Sequence, residues 1–270
     1  MNKQHLENIS KELRKDIIEM IYESGSGHPG GSLSIIDVVT YLYFEKMNID
    51  PKNPKLEGRD RFILSKGHAA PAQYSALAKR GFFEREELKN LRKLGSFLQG
   101  HPDAKKCPGV EISTGSLGQG FSNSCGLALA SKMDNKSENI YVVLGDGEIQ
   151  EGIVWETAMA AAKFKLDNLV AIVDKNGIQL DGRTSEIMDV DPLGDRWKSF
   201  GWNVIECDGH NFDEIDEAFN KAGQVEGKPT VIIAHTIKGK GISFMEDNVA
   251  WHGMAPSKEQ KEQAVIELSK

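Results

Sequence analysis

The chain has 270 residues and a formal net charge of -7 at pH 7, with 39% hydrophobic and 27% charged residues. This length allows one large domain with a substantial buried core, and the composition is that of an ordinary globular protein. An acidic balance gives no electrostatic attraction to DNA, RNA or an anionic membrane surface, and no apolar stretch approaches the roughly 20 residues that span a bilayer. We therefore expect neither nucleic acid nor a membrane as a partner.

Cysteine usage and the N-terminal segment indicate the compartment. Cys107, Cys125 and Cys207 are isolated, and no two of them have the C-x-x-C spacing of a zinc or redox site. Sparse, odd cysteine usage is typical of a reducing cytoplasm. The charged, amphipathic N-terminus lacks the apolar core of a signal peptide. The sequence therefore predicts a cytoplasmic protein.

The N-terminal half contains helical patterns separated by glycine-rich turns. Apolar residues recur at helical spacing over residues 6–22, and SIIDVVTYLYFEKM (34–47) is apolar on nearly every side, as in a buried helix. RFILS (61–65) is a strand candidate, and EREELKNLRKL (84–94) predicts a polar surface helix. LGQGFSNSCGLALASKM (117–133) predicts a helix of small residues that lets another backbone come close.

In the C-terminal half, short β-branched runs alternate with helical patterns. The predicted elements are NIYVVLGDG (139–147, strand), GIVWETAMAAAKFK (152–165, helix), NLVAIVDKNG (168–177, strand), WNVIECDG (202–209, strand), NFDEIDEAFNKA (211–222, helix), PTVIIAHT (229–236, strand) and SKEQKEQAVIELSK (257–270, helix). This alternation predicts an α/β fold with a mostly parallel sheet flanked by helices. We expect a single domain over residues 1–270, with a glycine-rich loop segment at 236–256.

Two predicted strand ends carry polar residues that suit a metal-bound diphosphate. Asp146 lies between Gly145 and Gly147, and Asn176 follows the next strand 30 residues later. Parallel sheets bind ligands at the carboxyl ends of their strands, so these side chains are expected to meet there. A carboxylate and an amide oxygen suit Mg²⁺ or Ca²⁺, and a helix starting near Gly152 would present its positive end to phosphate. The alternative is a plain strand–helix turn with a capping aspartate.

Four histidines lie in glycine- or proline-rich turns. They are His28 (GSGHPGG), His68 (SKGHAA), His101 (QGHPD) and His252 (AWHGM). Loops on a rigid scaffold concentrate binding groups, and imidazole donates or accepts protons near neutral pH, which suits a substrate made of hydroxyls and a carbonyl. Metal binding is a competing interpretation, but no pair has H-x-x-x-H spacing. An ordinary surface or core role is the alternative for each histidine taken alone.

The order of these motifs resembles the transketolase family. SGHPGG, KGHA, GHPD, STGSLGQG, GDGEIQEG, DKNGIQLDG and WHG follow one another across residues 20–255 as they do in that family. GDG followed by Asn176 after an apolar strand resembles the thiamine diphosphate-binding motif, and the resemblance implies that fold for the chain. Gly177 stands where many members have a second Asn, although transketolases often have Gly there. DGHN also fits, and we expect its histidine, His210, to cap a turn rather than touch substrate.

The resemblance implies a set of site residues. Asp146, Asn176 and the backbone carbonyl of Ile178 would hold Mg²⁺ (or Ca²⁺) on the diphosphate of thiamine diphosphate. The four loop histidines His28, His68, His101 and His252 would line the substrate channel. The residues implied to contact the cofactor are Gly115, Ser116, Leu117, Gly145, Asp146, Gly147, Glu148, Glu156, Asn176 and His68.

The glutamates beside Asp146 have further implied roles. Glu151 and Glu156 resemble family glutamates that link paired active sites at a subunit interface, and helix capping is the alternative for Glu151. The Glu148 side chain is expected to face solvent or cap the helix.

The family's pyrimidine-binding domain, which supplies the glutamate that activates the cofactor, has no counterpart in this sequence. We interpret the intact start and the terminal helix as those of a complete gene product. The expectation is the N-terminal subunit of a split transketolase, forming a heterotetramer with a C-terminal partner subunit that supplies the catalytic Glu. It would move a two-carbon ketol unit from a ketose phosphate to an aldose phosphate, with the pentose phosphate pathway as the default setting. Alternatives are a branched or sulfonated sugar substrate, a related thiamine enzyme, or a non-catalytic cofactor-binding regulatory subunit.

Overall fold

The computed structural model describes residues 1–180 and 182–270; Asp181, within DKNGIQLDG, lies outside the described residues. The α-helices are α1 (Lys3–Ser24), α2 (Pro29–Tyr41), α3 (Ala70–Arg80), α4 (Gln119–Met133), α5 (Gly152–Lys163), α6 (Thr184–Ile187), α7 (Leu193–Ser199), α8 (Phe212–Ala222) and α9 (Lys258–Glu267). The strands are β1 (Arg61–Leu64), β2 (Ile140–Gly145), β3 (Leu169–Lys175), β4 (Ile178–Gln179), β5 (Gly182–Arg183), β6 (Asn203–Asp208) and β7 (Thr230–His235).

The main sheet is parallel throughout its described strands, in the order β1-β2-β3-β7-β6, and β4 and β5 form a separate antiparallel pair. Alternate residues of each central strand enter different hydrophobic clusters: Tyr141 and Val143 pack with α1, α2, α3 and α8, whereas Val142 and Leu144 pack with α4, α5 and α7. Since helices cover both faces, the central strands are apolar along their whole length rather than alternating. The predicted mostly parallel α/β fold is confirmed.

The buried helix predicted from SIIDVVTYLYFEKM is α2, which is buried along its whole length but begins earlier, at Pro29, and ends at Tyr41. Leu42–Lys46 continue as a π-helical turn in which Glu45 is exposed. Proline at the first helical position has the backbone angle of a helix, and its missing N–H has no helical partner there. The early start places His28 at the N-terminal cap of α2. A buried helix therefore begins where the first of the loop histidines lies.

One local prediction was wrong, and one helix was not predicted. EREELKNLRKL forms only a 3₁₀ helix over Arg85–Asn90, in which Leu88 lies three residues before the buried Leu91. A spacing of three places both leucines on one side of the 3₁₀ helix, so both can be buried. Helix α3 was not predicted, because its alanine-rich sequence has a weak periodic pattern; it ends at Gly81, whose φ of 95° suits glycine.

Candidate functional site

A cavity of ≈ 350 Å³ lies at the carboxyl ends of β2 and β3. Ligands bind at this edge of parallel sheets, and the volume is in the range of small-molecule sites. The predicted site residues in its lining are His28, His68, Gly115, Leu117, Gly145, Asp146, Gly147, Glu148, Glu151, Asn176, Ile178 and His252. Residues that the sequence reasoning did not single out complete the lining: Gly31, Lys66, Gln150, Gln179, Leu180 and Lys238. Ser116, His101 and Glu156 lie outside it.

Asp146 is a buried carboxylate with backbone N–H groups as its hydrogen-bond donors. Gly147 N–H donates to Oδ1 at 2.9 Å and Gly177 N–H donates to Oδ2 at 2.5 Å. Gly147, which was expected to contact the cofactor, therefore has its N–H engaged by Asp146. Burial, together with the negative charge of Asp174, raises the pKa of Asp146 to about 7. A nearby cation would stabilise the ionised form.

Asn176 meets Asp146 because β2 and β3 pair in parallel, with Gly145 opposite Asp174. The Asn176 side-chain oxygen accepts the Ile178 N–H at 3.1 Å, and its nitrogen donates to Asp174 Oδ2 at 2.9 Å. These two bonds fix the orientation of the amide. Asp174 therefore acts on the site through Asn176.

A fully buried ion pair lies beneath Asn176. Lys66 Nζ donates to Asp174 Oδ2 at 2.5 Å and to the carbonyl of Gly31 at 2.8 Å. Burial alone would raise the pKa of Asp174, but the charge of Lys66 and the hydrogen bonds that Asp174 accepts together hold this pKa below its usual value. Ser34 and Thr236 also donate to Asp174. The sequence reasoning did not single out Asp174, the last residue of the run LVAIVD.

Lys238 brings a second buried ammonium group into the cavity from the loop after β7. Its Nζ donates to the carbonyl of Ile178 at 3.0 Å and contacts His252 Nδ1 at 2.8 Å. Since the ammonium group can only donate, Nδ1 accepts, and the neutral His252 ring carries its proton on Nε2. Burial and the nearby Lys66 lower the pKa of Lys238 to about 8.

The oxygen donors at this edge have the chemistry of a divalent-cation site. The Asp146 carboxylate, the Asn176 amide oxygen and the Ile178 carbonyl are hard oxygens. Among residues 1–180 and 182–270, no group of three or more His, Cys, Asp or Glu could hold a metal ion. A cation here would therefore need phosphate or water oxygens to complete its shell. The Ile178 carbonyl accepts one hydrogen bond from the Lys238 ammonium group, and its second lone pair remains for a cation.

Three of the four loop histidines form a cluster in the cavity. Ring centroids are 5.3 Å apart for His28 and His68, 5.6 Å for His28 and His252, and 5.3 Å for His68 and His252. Burial, with Arg92 nearby, lowers the pKa of His28 to about 4, and burial with Lys238 nearby lowers that of His252 to about 3. Burial also lowers the pKa of His68 well below its usual value. Neutral rings can hydrogen-bond hydroxyl and carbonyl groups.

His101 lies beside the cavity without lining it. Its exposed side chain packs on Gly115, where an added Cβ would come within 3.1 Å of the His101 ring. Burial and the charge of Arg92 lower the pKa of His101. His101 therefore flanks the rim of the cavity.

Glu148 does not face solvent or cap a helix, which corrects the sequence expectation. The residue is 2% exposed, and its Oε1 accepts hydrogen bonds from Ser65 Oγ at 2.5 Å and Gly118 N–H at 2.8 Å. Its Oε2 accepts the Gly145 N–H at 3.0 Å. Three donors converge at one buried position and need an acceptor, which the carboxylate supplies. Glu148 therefore ties the end of β2 to the start of α4.

Glu151 and Glu156 differ from Glu148 because both are exposed. Glu151 stands at the N-cap of α5, but its side chain makes no capping hydrogen bond. Helix α5 begins at Gly152, as the sequence predicted, so its N-terminus lies near the cavity. Ser116 is also exposed.

Comparison with known proteins identifies the family. Residues 4–268 match the family described as transketolase, thiamine diphosphate binding domain. The chain is 48% identical over 267 residues to the 6-deoxy-6-sulfo-D-fructose transketolase subunit SqwG of Clostridium sp. (strain MSTE9), covering 99% of this chain and 96% of that protein. It is 45% identical over 269 residues to one of the subunits named for apulose-4-phosphate transketolase in Phocaeicola vulgatus, covering 100% of this chain and 95% of that protein.

A solved structure agrees in fold. The crystal structure of Campylobacter jejuni transketolase superposes with a TM-score of 0.94 at 35% identity, covering 100% of this chain but 43% of that one. The chain thus spans less than half the length of that transketolase and nearly the full length of the two subunits. It belongs to the transketolase family, and its fold is that of the family's thiamine diphosphate-binding domain.

Proposed function

We propose that the chain is the N-terminal subunit of a split, thiamine diphosphate-dependent transketolase. With a partner subunit it transfers a two-carbon ketol unit from a ketose phosphate to an aldose acceptor. The observation that carries the proposal is the single cavity in which Asp146 and Asn176 face the three neutral histidines. Support comes from relatives named as transketolase subunits, of which the chain covers 96% and 95%.

Thiamine diphosphate, when bound, supplies the nucleophilic carbon of the reaction. In the proposal, the Asp146 carboxylate, the Asn176 amide oxygen and the Ile178 carbonyl hold Mg²⁺, or Ca²⁺, on the diphosphate. The N-terminus of α5 adds its positive end. Gly115, Ser116 and Leu117 contact the cofactor from their loop. The hard-oxygen donor set and the raised pKa of Asp146 support this assignment.

The histidines hold the sugar. His28, His68 and His252 donate to or accept from its hydroxyl and carbonyl groups, and their lowered pKa values keep them neutral at physiological pH. His252 presents an Nε2–H donor, because Lys238 occupies its Nδ1. His101, at the rim, contacts substrate that extends out of the cavity.

A partner chain completes the site in a heterotetramer of two copies of each subunit, and it supplies the catalytic glutamate. Glu151 and Glu156 lie in that interface; their exposure and the unused capping position of Glu151 support this role. Changing Glu151 to Gln is expected to weaken assembly, measured by sedimentation, while leaving the unfolding free energy of the isolated chain within about 0.5 kcal/mol. Unchanged assembly would count against the interface role.

The proposed location is the cytoplasm. Cys107, Cys125 and Cys207 are free thiols in buried positions, which suits a reducing compartment. Across the described residues, the structure contains no helix of the length and apolarity needed to cross a membrane.

A ketol-transfer assay tests the proposal, with thiamine diphosphate and Mg²⁺ present. The chain is assayed alone and mixed with the product of the neighbouring gene. The donor is xylulose 5-phosphate, 6-deoxy-6-sulfofructose or apulose 4-phosphate, and the acceptor is ribose 5-phosphate. Activity only in the mixture is expected. Turnover by the chain alone would contradict the split-site proposal, and cofactor binding without turnover of any donor would favour a regulatory subunit.

The same assay decides the sugar. Relatives named for a sulfonated sugar and for apulose phosphate make a sulfonated or branched donor the specific alternative to a straight-chain pentose phosphate. The donor with the highest kcat/KM identifies the substrate class.

Two substitutions test the metal assignment. Asp146→Ala and Asn176→Ala are each expected to abolish Mg²⁺-dependent cofactor binding, measured by calorimetry. Asp195→Ala and Asn220→Ala, at exposed positions of α7 and α8, are the matched controls. Normal affinity in either site variant would exclude that residue as a ligand.

A further inference from the structure

His210, the histidine of DGHN, makes two ring hydrogen bonds that the proposed reaction does not use. Its Nδ1 lies 2.8 Å from Asp37 Oδ2, and its Nε2 lies 2.9 Å from the backbone nitrogen of Ile237. A backbone N–H only donates, so Nε2 is the acceptor and the ring carries its proton on Nδ1. The turn contact expected of this residue comes from its backbone N–H, which donates to Asp208 at 2.8 Å. The ring is therefore left to join Asp37 to the chain at Ile237.

Asp37 connects to both ends of the loop 237–240, which follows β7, through His210 and Arg14. It lies on the buried helix α2 and accepts hydrogen bonds from Arg14 at 2.9 and 2.6 Å as well as from His210. Arg14 in turn donates from Nε to the carbonyl of Lys240 at 3.1 Å. The loop 237–240 is thus held at its first residue by His210 and at its last by Arg14.

The loop held in this way carries Lys238. A hydrogen bond of 3.2 Å from Lys240 N–H to the Ile237 carbonyl closes the loop into a turn. From this turn Lys238 reaches the Ile178 carbonyl and His252 Nδ1. The backbone around Lys238 is also held by the Asp247 N–H, which donates to the Lys238 carbonyl at 2.9 Å, and by the Gly239 N–H, which donates to the Gly30 carbonyl at 3.1 Å. His210 adds a restraint at Ile237, the residue next to Lys238.

We propose that His210 is a positioning residue for Lys238. As an acceptor for the Ile237 N–H, it keeps the Lys238 ammonium group on the Ile178 carbonyl and on His252, and so keeps the proton of His252 on Nε2. The assignment of Ile178 to the metal and of His252 to the sugar rests on the proposed function. The contact between His210 and the loop does not depend on that assignment.

Two substitutions test the contacts of the two His210 ring nitrogens separately. Gln places its amide oxygen near the position of Nε2, so His210→Gln keeps an acceptor for Ile237. Asn places its amide near Nδ1, so His210→Asn keeps only the contact to Asp37. His235→Gln is the control, since His235 is exposed and pairs with the exposed Glu206.

The first readout is an imidazole ¹⁵N–¹H correlation spectrum of the 270-residue chain without cofactor. We expect an Nδ1–H tautomer for His210 and an Nε2–H tautomer for His252. His210→Gln and His235→Gln should leave the His252 signals in place, and His210→Asn should shift them. An Nε2–H tautomer at His210, or His252 signals unmoved in His210→Asn, would overturn the proposal.

The second readout is Mg²⁺-dependent affinity for thiamine diphosphate, measured beside the thermal midpoint of each variant. We expect His210→Asn to weaken binding about 10-fold, which is the low end of what outer-shell partners contribute to metal affinity. His210→Gln should keep an affinity within about 2-fold of the wild-type value. Equal losses in both variants, in step with the thermal midpoint, would mean a structural role and overturn the proposal. A wild-type chain that binds no cofactor, alone or with its partner, would count against the proposed function, while the spectrum would still decide the role of His210.

Discussion

The buried pair of Lys66 and Asp174 predicts a large, non-additive loss of stability. The side chains are 2% and 0% exposed, and the Nζ–Oδ2 distance is 2.5 Å. At an effective dielectric constant near 20 the attraction is about 7 kcal/mol, which offsets a desolvation cost of several kcal/mol for each ion. Removing one partner leaves the other charge buried, so Lys66→Met or Asp174→Asn is expected to cost about 3–5 kcal/mol each.

The double variant tests this account, because it removes both charges together. We expect it to be more stable than either single variant, with a coupling energy of at least about 2 kcal/mol in a double-mutant cycle. Urea unfolding followed by tryptophan fluorescence measures each free energy. The half-exposed pair of Lys132 and Asp167, at 2.6 Å, is the matched control, and its coupling should stay below about 1 kcal/mol.

A domain of ordinary stability has about 5–15 kcal/mol to lose, so a single variant could fail to fold. The comparison with the double variant still decides the question in that case. Single-variant losses that add up in the double variant, or a buried pair that couples no more than the control, would refute the reasoning. The double variant should also lose about 10- to 100-fold in Mg²⁺ affinity, because it lacks the Asp174 carboxylate that accepts the hydrogen bond of the Asn176 amide.

Two further predictions concern α4 and Asp146. Gly120→Ala should destabilise the isolated chain by about 1–3 kcal/mol, since an added Cβ would lie 2.7 Å from Ser65 Cα. Gly126→Ala, on the same helix, meets nothing within 4 Å and should stabilise the chain by about 0.5–1 kcal/mol. Urea unfolding measures both changes, and equal effects would contradict the packing argument. The pKa of Asp146 rises from 3.8 to about 7 on folding, so between these two pH values the native chain binds more protons than the unfolded chain. The contribution of Asp146 to the free energy of unfolding therefore falls as pH rises through this range, by about 1.4 kcal/mol per pH unit. Asp146→Asn should remove this slope from the metal-free chain, and an unchanged pH profile of unfolding would refute the shift.

The sequence predicted the sheet and the meeting of Asp146 with Asn176 for the same physical reason. Apolar runs without alternation belong to strands buried on both faces, and such strands are parallel, so their carboxyl ends lie at one edge. The residues that follow two adjacent strands then have to be neighbours. Local composition was therefore enough to locate this part of the site.

The charged residues beneath the cavity could not be predicted in this way. Lys66 precedes His68 in a turn that also fits a surface lysine, and nothing local indicates that its ammonium group reaches Asp174. Glu148 was placed in solvent for the same reason, because burial of a carboxylate depends on donors from distant segments, here Ser65 and Gly118. Patterns of a single segment carry no information on such convergence.

The charges in the cavity also predict how its ligands bind. The described lining has carboxylates at Asp146, Glu148 and Glu151, and ammonium groups at Lys66 and Lys238. Once Asp146 is ionised, the carboxylates outnumber the ammonium groups and Asp174 lies beneath them, so a diphosphate alone is repelled while a divalent cation alone lacks ligands. Each ligand supplies what the other needs. We therefore expect Mg²⁺ to raise the affinity for thiamine diphosphate by about 5- to 150-fold, and the cofactor to raise Mg²⁺ affinity by the same factor. Calorimetric titrations in both orders measure the two factors; equal cofactor affinity with and without Mg²⁺ would show that the protein's own cations neutralise the diphosphate and that the metal is not required for binding.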